Sequence, residues 1–292
     1  EHPNTAINLN NLAMLYQKQG KFADAELLFK RSLAIREKVF GPDHPGTGAG
    51  LNNLAILYAD QGKYRDAEPL VRRALEIEEK ALGPDHPHVA DTLSTLAIIF
   101  LNQGKHADAE PYLKRALAID EKVSGPEHPA TATSLNNLAS AYYSQGKYAE
   151  AEPLYRRSLA IREKVLGPEH PDVADTLNNL ANLYNKQAKV TDAESLYRRA
   201  LAVREKALGS DHPRTANSLN NLAGLYMETG RSKEAEALYQ RALAIMEKAF
   251  GKEHPNTAAS LERYAMLLRK MKRDPEAAAL ETRAKAIREK QK

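Results

Sequence analysis

The 292 residues include no cysteine and no tryptophan. Without cysteine there is no disulfide, no thiolate nucleophile and no cysteine-bound metal. No apolar run approaches the 18 or so residues that span a bilayer, and no charged-then-apolar leader is present, so a soluble, cytoplasmic chain with no membrane partner is expected. Charge of one sign is also scarce, with 42 Lys/Arg against 38 Asp/Glu. The small excess is local: residues 251–292 hold 11 basic against 6 acidic residues, and the other 250 positions hold 31 against 32. A basic end without interleaved aromatics is not a groove for nucleic acid, and no nucleic-acid partner is expected. G-x-x-x-x-G-K-[ST], G-x-S-x-G and H-E-x-x-H are all missing, and no carboxylate pair stands apart from the pattern described next. The chain therefore reads as no enzyme, with no catalytic residues and no cofactor.

What is present is repetition. GPDHP at 41–45 and 83–87 returns as GPEHP at 125–129 and 167–171, GSDHP at 209–213 and GKEHP at 251–255. His2, His44, His86, His128, His170, His212 and His254 stand 42 residues apart without insertion. Seven copies fill the chain, at about 1–42, 43–84, 85–126, 127–168, 169–210, 211–252 and 253–292, as a single domain spanning 1–292. Such a period marks a solenoid, in which each unit buries its apolar face only against its neighbours. The first copy is entered at Glu1 with Leu9, Leu12 and Tyr16 uncovered by anything polar, so further repeats upstream or self-association through that face are expected.

Within one copy, Leu51, Leu54, Ala55 and Tyr58 follow i, i+3, i+4, i+7, the stripe of an amphipathic helix. Gly62 suits the left-handed position past its end. Ala67, Leu70, Val71, Ala74, Leu75, Ile77 and Leu82 then repeat the helical spacing over 64–82. Two antiparallel helices of about 16 and 18 residues per copy follow. The pentapeptide is their joint: Gly41 ends one helix, Pro42 cannot continue it, Asp43 or His44 caps the next, and Pro45 suits its first turn. A row of histidine metal ligands is the competing reading. Stacked helices lie about 8–10 Å apart, whereas zinc needs its nitrogens at about 2.0–2.1 Å. His86 and His88 are one close pair without a third ligand, so no metal is expected.

L-x-x-L-A-x-x-Y followed by G-K-[FY]-x-x-A, with LNNLA at 9–13, 51–55, 135–139, 177–181 and 219–223, resembles the tetratricopeptide repeat. The 42-residue period and the GPDHP connectors resemble its kinesin-light-chain type. The resemblance covers the whole chain. It implies an all-α, right-handed superhelical solenoid of seven helix-turn-helix repeats, whose first helices line a concave groove for peptides or partner proteins. The heptad coiled coil of kinesin light chains is missing from this sequence, and arrays of this type also serve as sensing parts of larger proteins. A scaffold binding an extended peptide or protein segment is therefore expected, with a ligand-responsive regulatory module as the alternative.

Winding the first helix at 100° per residue sets a variable face opposite the Leu, Leu, Ala, Tyr stripe. Ile7, Met14, Ile56, Ile98 and Ser140 lie on it as candidate selectors of ligand sequence, with Asn182, Asn185 and Asn217 further along. Beside them run the pairs Asn10/Asn11, Asn52/Asn53, Asn136/Asn137, Asn178/Asn179 and Asn220/Asn221. A carboxamide carries donors and an acceptor, so such a row can pair with the main chain of an extended peptide. The alternative is that one asparagine of each pair bonds a neighbouring repeat. The character shifts from apolar in the first three repeats to polar in repeats four to six. The aromatic row from Tyr16 to Tyr226 lies in the apolar stripe and is expected to pack. Arg72, Arg73 and Glu76 mark a solvated outer face, with Arg72 and Glu76 spaced for a weak pair. In the last copy Glu281 and Lys285 replace an apolar pair, as in a terminal cap, and Arg269, Lys270, Lys272 and Arg273 form a basic run beside Glu262/Arg263.

Overall fold

The computed structural model describes residues 2–290; Glu1, Gln291 and Lys292, included above in the first and last copies, lie outside the described residues. Among the described residues there are fourteen helices and no strand. They form seven helix-turn-helix pairs: α1 (Pro3–Lys18) with α2 (Phe22–Phe40), α3 (Pro45–Asp60) with α4 (Tyr64–Leu82), α5 (Pro87–Asn102) with α6 (His106–Val123), and α7 (Pro129–Ser144) with α8 (Tyr148–Leu166). The series continues with α9 (Pro171–Lys186) and α10 (Val190–Leu208), α11 (Pro213–Glu228) and α12 (Ser232–Phe250), and α13 (Pro255–Lys270) and α14 (Asp274–Glu289). This is the all-α solenoid class expected from the repeat. The helices pack as two compact units, the first running to Ser158 and the second starting at Leu159.

The joints explain the regular boundaries. Every first helix opens with a histidine whose Nδ1 accepts the main-chain N–H two residues on, as in Gly46 N to His44 at 3.0 Å and His88 N to His86 at 3.2 Å. The alternative left open between Asp43 and His44 thus resolves to the histidine. Proline follows at the first helical position, where its missing N–H has no partner to lose. Thr47, Thr131, Thr215 and Thr257, two places after that proline, close the joint, each hydroxyl donating to the preceding glycine carbonyl (Thr47 to Gly41, 2.8 Å; Thr215 to Gly209, 2.9 Å). At the turn inside each pair a left-handed residue is required. Gly62 supplies it at φ 73°, while Ala188 and Lys272 occupy the same place at φ 58° and 60°.

In the first unit, Ala55, Val71, Leu96, Phe100, Leu113 and Leu138 share one core. In the second, Val173, Leu177, Ala200 and Val203 form one layer, and Ala216, Leu219, Ala242 and Ile245 the next. The aromatic stripe packs, and the lysine of the G-K turn covers it: Lys63 lies 5.6 Å from the Tyr58 ring and Lys105 5.5 Å from Phe100, with Arg231 3.7 Å from Tyr226 in the second unit. Tyr58 and Tyr226 also donate to Glu26 (3.0 Å) and Glu194 (2.8 Å) of the second helix.

On the second helices an ion-pair ladder links successive repeats within each unit. Arg73–Glu37 (3.3 Å), Arg115–Glu79 (2.5 Å) and Arg157–Glu121 (2.5 Å) are its rungs in the first unit. Arg199–Glu163 (2.5 Å), Arg241–Glu205 (2.6 Å) and Arg283–Glu247 (2.5 Å) follow in the second. Arg72 turns to Glu68 at 2.9 Å and not to Glu76, because the Glu68 carboxylate lies one helical turn back on the side that Arg72 reaches. Leu12 and Leu15 are 39% and 50% exposed, against 4% and 0% for the equivalent Leu54 and Leu57, which pack on α2.

Candidate functional site

The asparagine pairs divide by burial. Asn10, Asn178 and Asn220 are 7%, 4% and 4% exposed, whereas Asn52, Asn53, Asn136, Asn137, Asn179 and Asn221 are half-buried and Asn11 is exposed. Asn53 donates through Nδ2 to Asn10 Oδ1 at 2.8 Å, and Asn221 repeats this to Asn178 Oδ1 at 3.3 Å. Asn178 in turn donates to the Ala174 carbonyl (2.7 Å) and to Ser218 Oγ (3.1 Å). An amide relay therefore links first helices, and for these four residues the carboxamide bonds the neighbouring repeat. These bonds take up Oδ1 of Asn10 and Asn178 and Nδ2 of Asn53, Asn178 and Asn221. Asn52 and Asn220 differ, because each holds a buried Oδ1 without a partner.

The variable face carries a cavity in each unit. In the first, an open hollow of about 300 Å³ is bordered by Met14, Gln17, Lys18, Phe29, Asn53, Ile56 and Asp60. Its floor is Phe29 of α2, 2% exposed, with Met14 of α1 and Ile56 of α3 as walls. Gln17 donates to Asp60 across the rim at 2.7 Å, which joins α1 to α3 over the same span. Ile7 and Ile98 stand 50% and 42% exposed elsewhere on this unit. Ser140 is half-buried, donates to the Asn136 carbonyl (2.9 Å) and lies 2.9 Å from the Tyr155 hydroxyl, whose pKa burial pushes up to about 12.

The second cavity, about 280 Å³, is lined by polar and apolar side chains alike, Pro213 and Ala259 among the latter. Arg214, Asn217 and Asn220 line it from α11, Asn256, Ser260 and Arg263 from α13, and Met246 and Phe250 from the end of α12. Asn182 and Asn185 do not line it; they accept from Tyr197 (2.5 Å) and donate to Glu228 (2.6 Å) respectively. Arg214 makes an ion pair with Asp175, which also receives Arg204. Of this lining, helical winding of the sequence points to Asn217, Asn220 and Ala259, and the asparagine-pair register to Arg263. A signal for more exists: position 214 reads Asn4, Gly46, His88, Ala130, Asp172, Arg214 and Asn256 through the copies, as variable as any on the first helix.

The basic run of the last copy is largely matched internally. Arg269 pairs with Asp274 (2.9 Å) and Glu281 (2.8 Å), Arg273 with Glu236 (2.5 Å) and Glu276 (2.6 Å), and Lys270 donates to the Met227 carbonyl. Among the described residues no three His, Asp or Glu side chains converge as metal ligands. No helix there is long and apolar enough to cross a membrane.

The tetratricopeptide repeat profile matches residues 4–80, 49–122, 92–164, 131–206, 172–248 and 214–290. The chain belongs to the tetratricopeptide-repeat family. Among solved tetratricopeptide structures, a Podosopora anserina protein of kinesin-light-chain type with nearly identical repeats is 31% identical, with 70% of this chain and 97% of that one covered at a TM-score of 0.56. BtubC (BKLC) from P. vanneervenii is 26% identical over 81% of this chain and 92% of its own, at 0.60. A Rap protein complexed with the competence and sporulation factor shares the fold at 17% identity, covering 97% of this chain and 74% of that one, at 0.70. Comparison with curated proteins found no match. The 42-residue tetratricopeptide repeats are thus of the kinesin-light-chain type, in a family whose members generally mediate protein–protein interactions.

Proposed function

We propose that this chain is a non-catalytic scaffold that docks an extended peptide or protein segment on the variable face of its first helices. One observation carries the reading: in each unit a cavity of about 300 or 280 Å³ opens beside first-helix residues that change from copy to copy, while the packing residues are repeated nearly unchanged. Met14, Phe29 and Ile56 favour an apolar ligand side chain in the first unit, and Asn217, Asn220 and Arg263 a polar one in the second. Asn11, Asn52, Asn179, Asn182 and Asn185 extend this face, Ile7, Ile98 and Ser140 contribute selectivity, and the relay asparagines Asn10, Asn53, Asn178 and Asn221 hold the stack; Asn136 and Asn137 keep the recognition role given by position. Self-association through exposed Leu12 and Leu15 belongs to the same reading.

Panning a displayed random-peptide library on the purified chain, followed by hydrogen exchange with the selected peptides, tests it. Slowed exchange in α1, α3, α11 or α13 is expected, with loss of binding in Ile56→Glu. Protection confined to the second helices, or an unaffected Ile56→Glu for a peptide that protects α1 and α3, overturns it. A second reading, a ligand-responsive regulatory module, draws on the shared fold of the Rap protein solved with its factor. A change in radius of gyration on peptide binding, measured by X-ray scattering, favours that one.

A further inference from the structure

In the first copy Tyr16, Lys21 and Arg31 lack the acidic partners that their counterparts one copy on possess. Tyr58 and Lys63 meet on Glu26 (3.0 and 3.8 Å), and Arg73 reaches Glu37 (3.3 Å). The pattern recurs in the second unit, where Tyr226 and Arg231 meet on Glu194 (2.8 and 2.7 Å) and Arg241 reaches Glu205 (2.6 Å). Among the described residues no carboxylate meets Tyr16, Lys21 or Arg31, and the Lys21 ammonium lies 5.3 Å from the Tyr16 ring. Leu12 and Leu15 are exposed on the side of α1 by which Leu54 and Leu57 of α3 pack on Ala25 and Phe29. Apolar side chains and uncompensated donors thus share one face.

What covers such a face is written in the repeat itself. The second helices of copies one to six carry glutamate, an apolar or aromatic residue, leucine and glutamate at i, i+3, i+7 and i+11: Glu26, Phe29, Leu33 and Glu37 in α2, and Glu194, Tyr197, Leu201 and Glu205 in α10. At 100° per residue the four fall within about 80° of one another, a single stripe with acid at both ends and apolar groups between. We propose that the α1/α2 face of the first copy is a docking site for an amphipathic helix of another protein that carries this stripe. Its carboxylates meet Tyr16, Lys21 and Arg31, and its apolar pair covers Leu12 and Leu15. A second copy does not offer that helix: α14 reads Ala278, Glu281, Lys285 and Glu289 at the four places, while Phe29 and Tyr197 of α2 and α10 are already buried, each 2% exposed. The site lies off the variable face and does not rest on the groove reading; it competes with self-association for the same leucines.

The probe is a peptide with the α2 sequence, residues 22–40, blocked at both ends and held helical by a lactam from Ala34→Glu to Lys38, two positions exposed on α2. Titrated into the whole chain, it is expected to shift the Leu12 and Leu15 methyl resonances saturably and to leave Ile56 and Ile98 of the variable face in place. The same peptide with Glu26→Lys and Glu37→Lys is expected to bind about tenfold more weakly, because both charge contacts become repulsive. Arg31→Glu in the chain is expected to weaken the parent peptide about fivefold. The Glu37→Lys peptide should recover that loss on the Arg31→Glu chain, which damage to the fold could not produce. Leu15→Glu is expected to abolish binding; Leu15 and Arg31 are exposed, so melting should stay unchanged. No saturable shift at Leu12 or Leu15, equal binding of the charge-reversed peptide, or absence of rescue overturns the site. Sedimentation of the chain alone decides the competing occupant: a dimer dispersed by Leu15→Glu gives the face to a second copy and overturns the helix, and a monomer supports it.

Discussion

One buried position of the second helix carries either sign of charge. In the first unit it is Glu78 and Asp120, 1% and 6% exposed, with Arg36 at the same place in the first copy; in the second it is Arg162 and Arg204, 8% and 5%. The partners hardly change. Fourteen residues later stands Thr92, Ser134, Thr176 or Ser218, and a hydroxyl can either donate or accept. Thr92 donates to Glu78 at 2.7 Å and Ser134 to Asp120 at 2.5 Å, whereas Arg162 and Arg204 donate to Thr176 and Ser218, both at 2.9 Å. Ten residues later the main-chain carbonyls of Asp172 and Arg214 receive the guanidinium. The repeat thus maintains an amphoteric niche between successive helices, and the sign of the charge is free to vary.

The largest test of this contrast removes the cation that also holds Asp175. Arg204→Ala should lower stability by about 3 kcal/mol, measured by urea unfolding, since it strands a buried network. Next comes acid against amide. Burial holds Glu78 and Asp120 above the ordinary carboxylate range, so the folded state binds their protons more tightly and their contribution improves as pH falls through the folded value. Glu78→Gln with Asp120→Asn should therefore raise Tm by about 2–4 °C at pH 7, and the gain should fade in acid. Glu110 behaves oppositely. A hydrogen bond from Lys114 holds it down at about 2, so the stability it supplies disappears as pH drops from the usual carboxylate range toward that value. Glu110→Gln should erase that acid limb in a pH series of melts.

A finer contrast lies inside the second unit, between LNNLA at 177–181 and at 219–223. Asn178→Ala should cost about 1 kcal/mol, because it removes the bonds to Ala174 and Ser218, while Asn220→Ala should cost little. Equal losses in calorimetry would erase the distinction between relay and orphan. The smallest effect concerns the turns: Ala188→Gly should add about 0.5–1 kcal/mol by relieving φ 58°.

Much of the fold was legible because seven copies average out local ambiguity. The stripe of Leu51, Leu54, Ala55 and Tyr58 and the breaks at Gly41 and Gly62 place α3 and α4 within two residues of their ends. The asparagine row was legible as a row but not as a relay. Whether Asn53 turns toward Asn10 or toward solvent depends on the rotation between neighbouring hairpins, which no single helix encodes. Arg214, Met246, Phe250 and Asn256 escaped notice for a related reason: they come from a first turn and from the end of a second helix, away from the face that helical winding singles out.

The ladder of arginines and glutamates implies something about how such a chain can change in length. Each rung reaches forward by 36 residues, so excising the 42-residue tract 85–126 would bring Arg157 to the place of Arg115, at the same spacing from Glu79. The rung would re-form across the cut. Deletions and duplications of whole copies therefore leave the charges in step, whereas a cut of any other size sets arginine against the wrong neighbour.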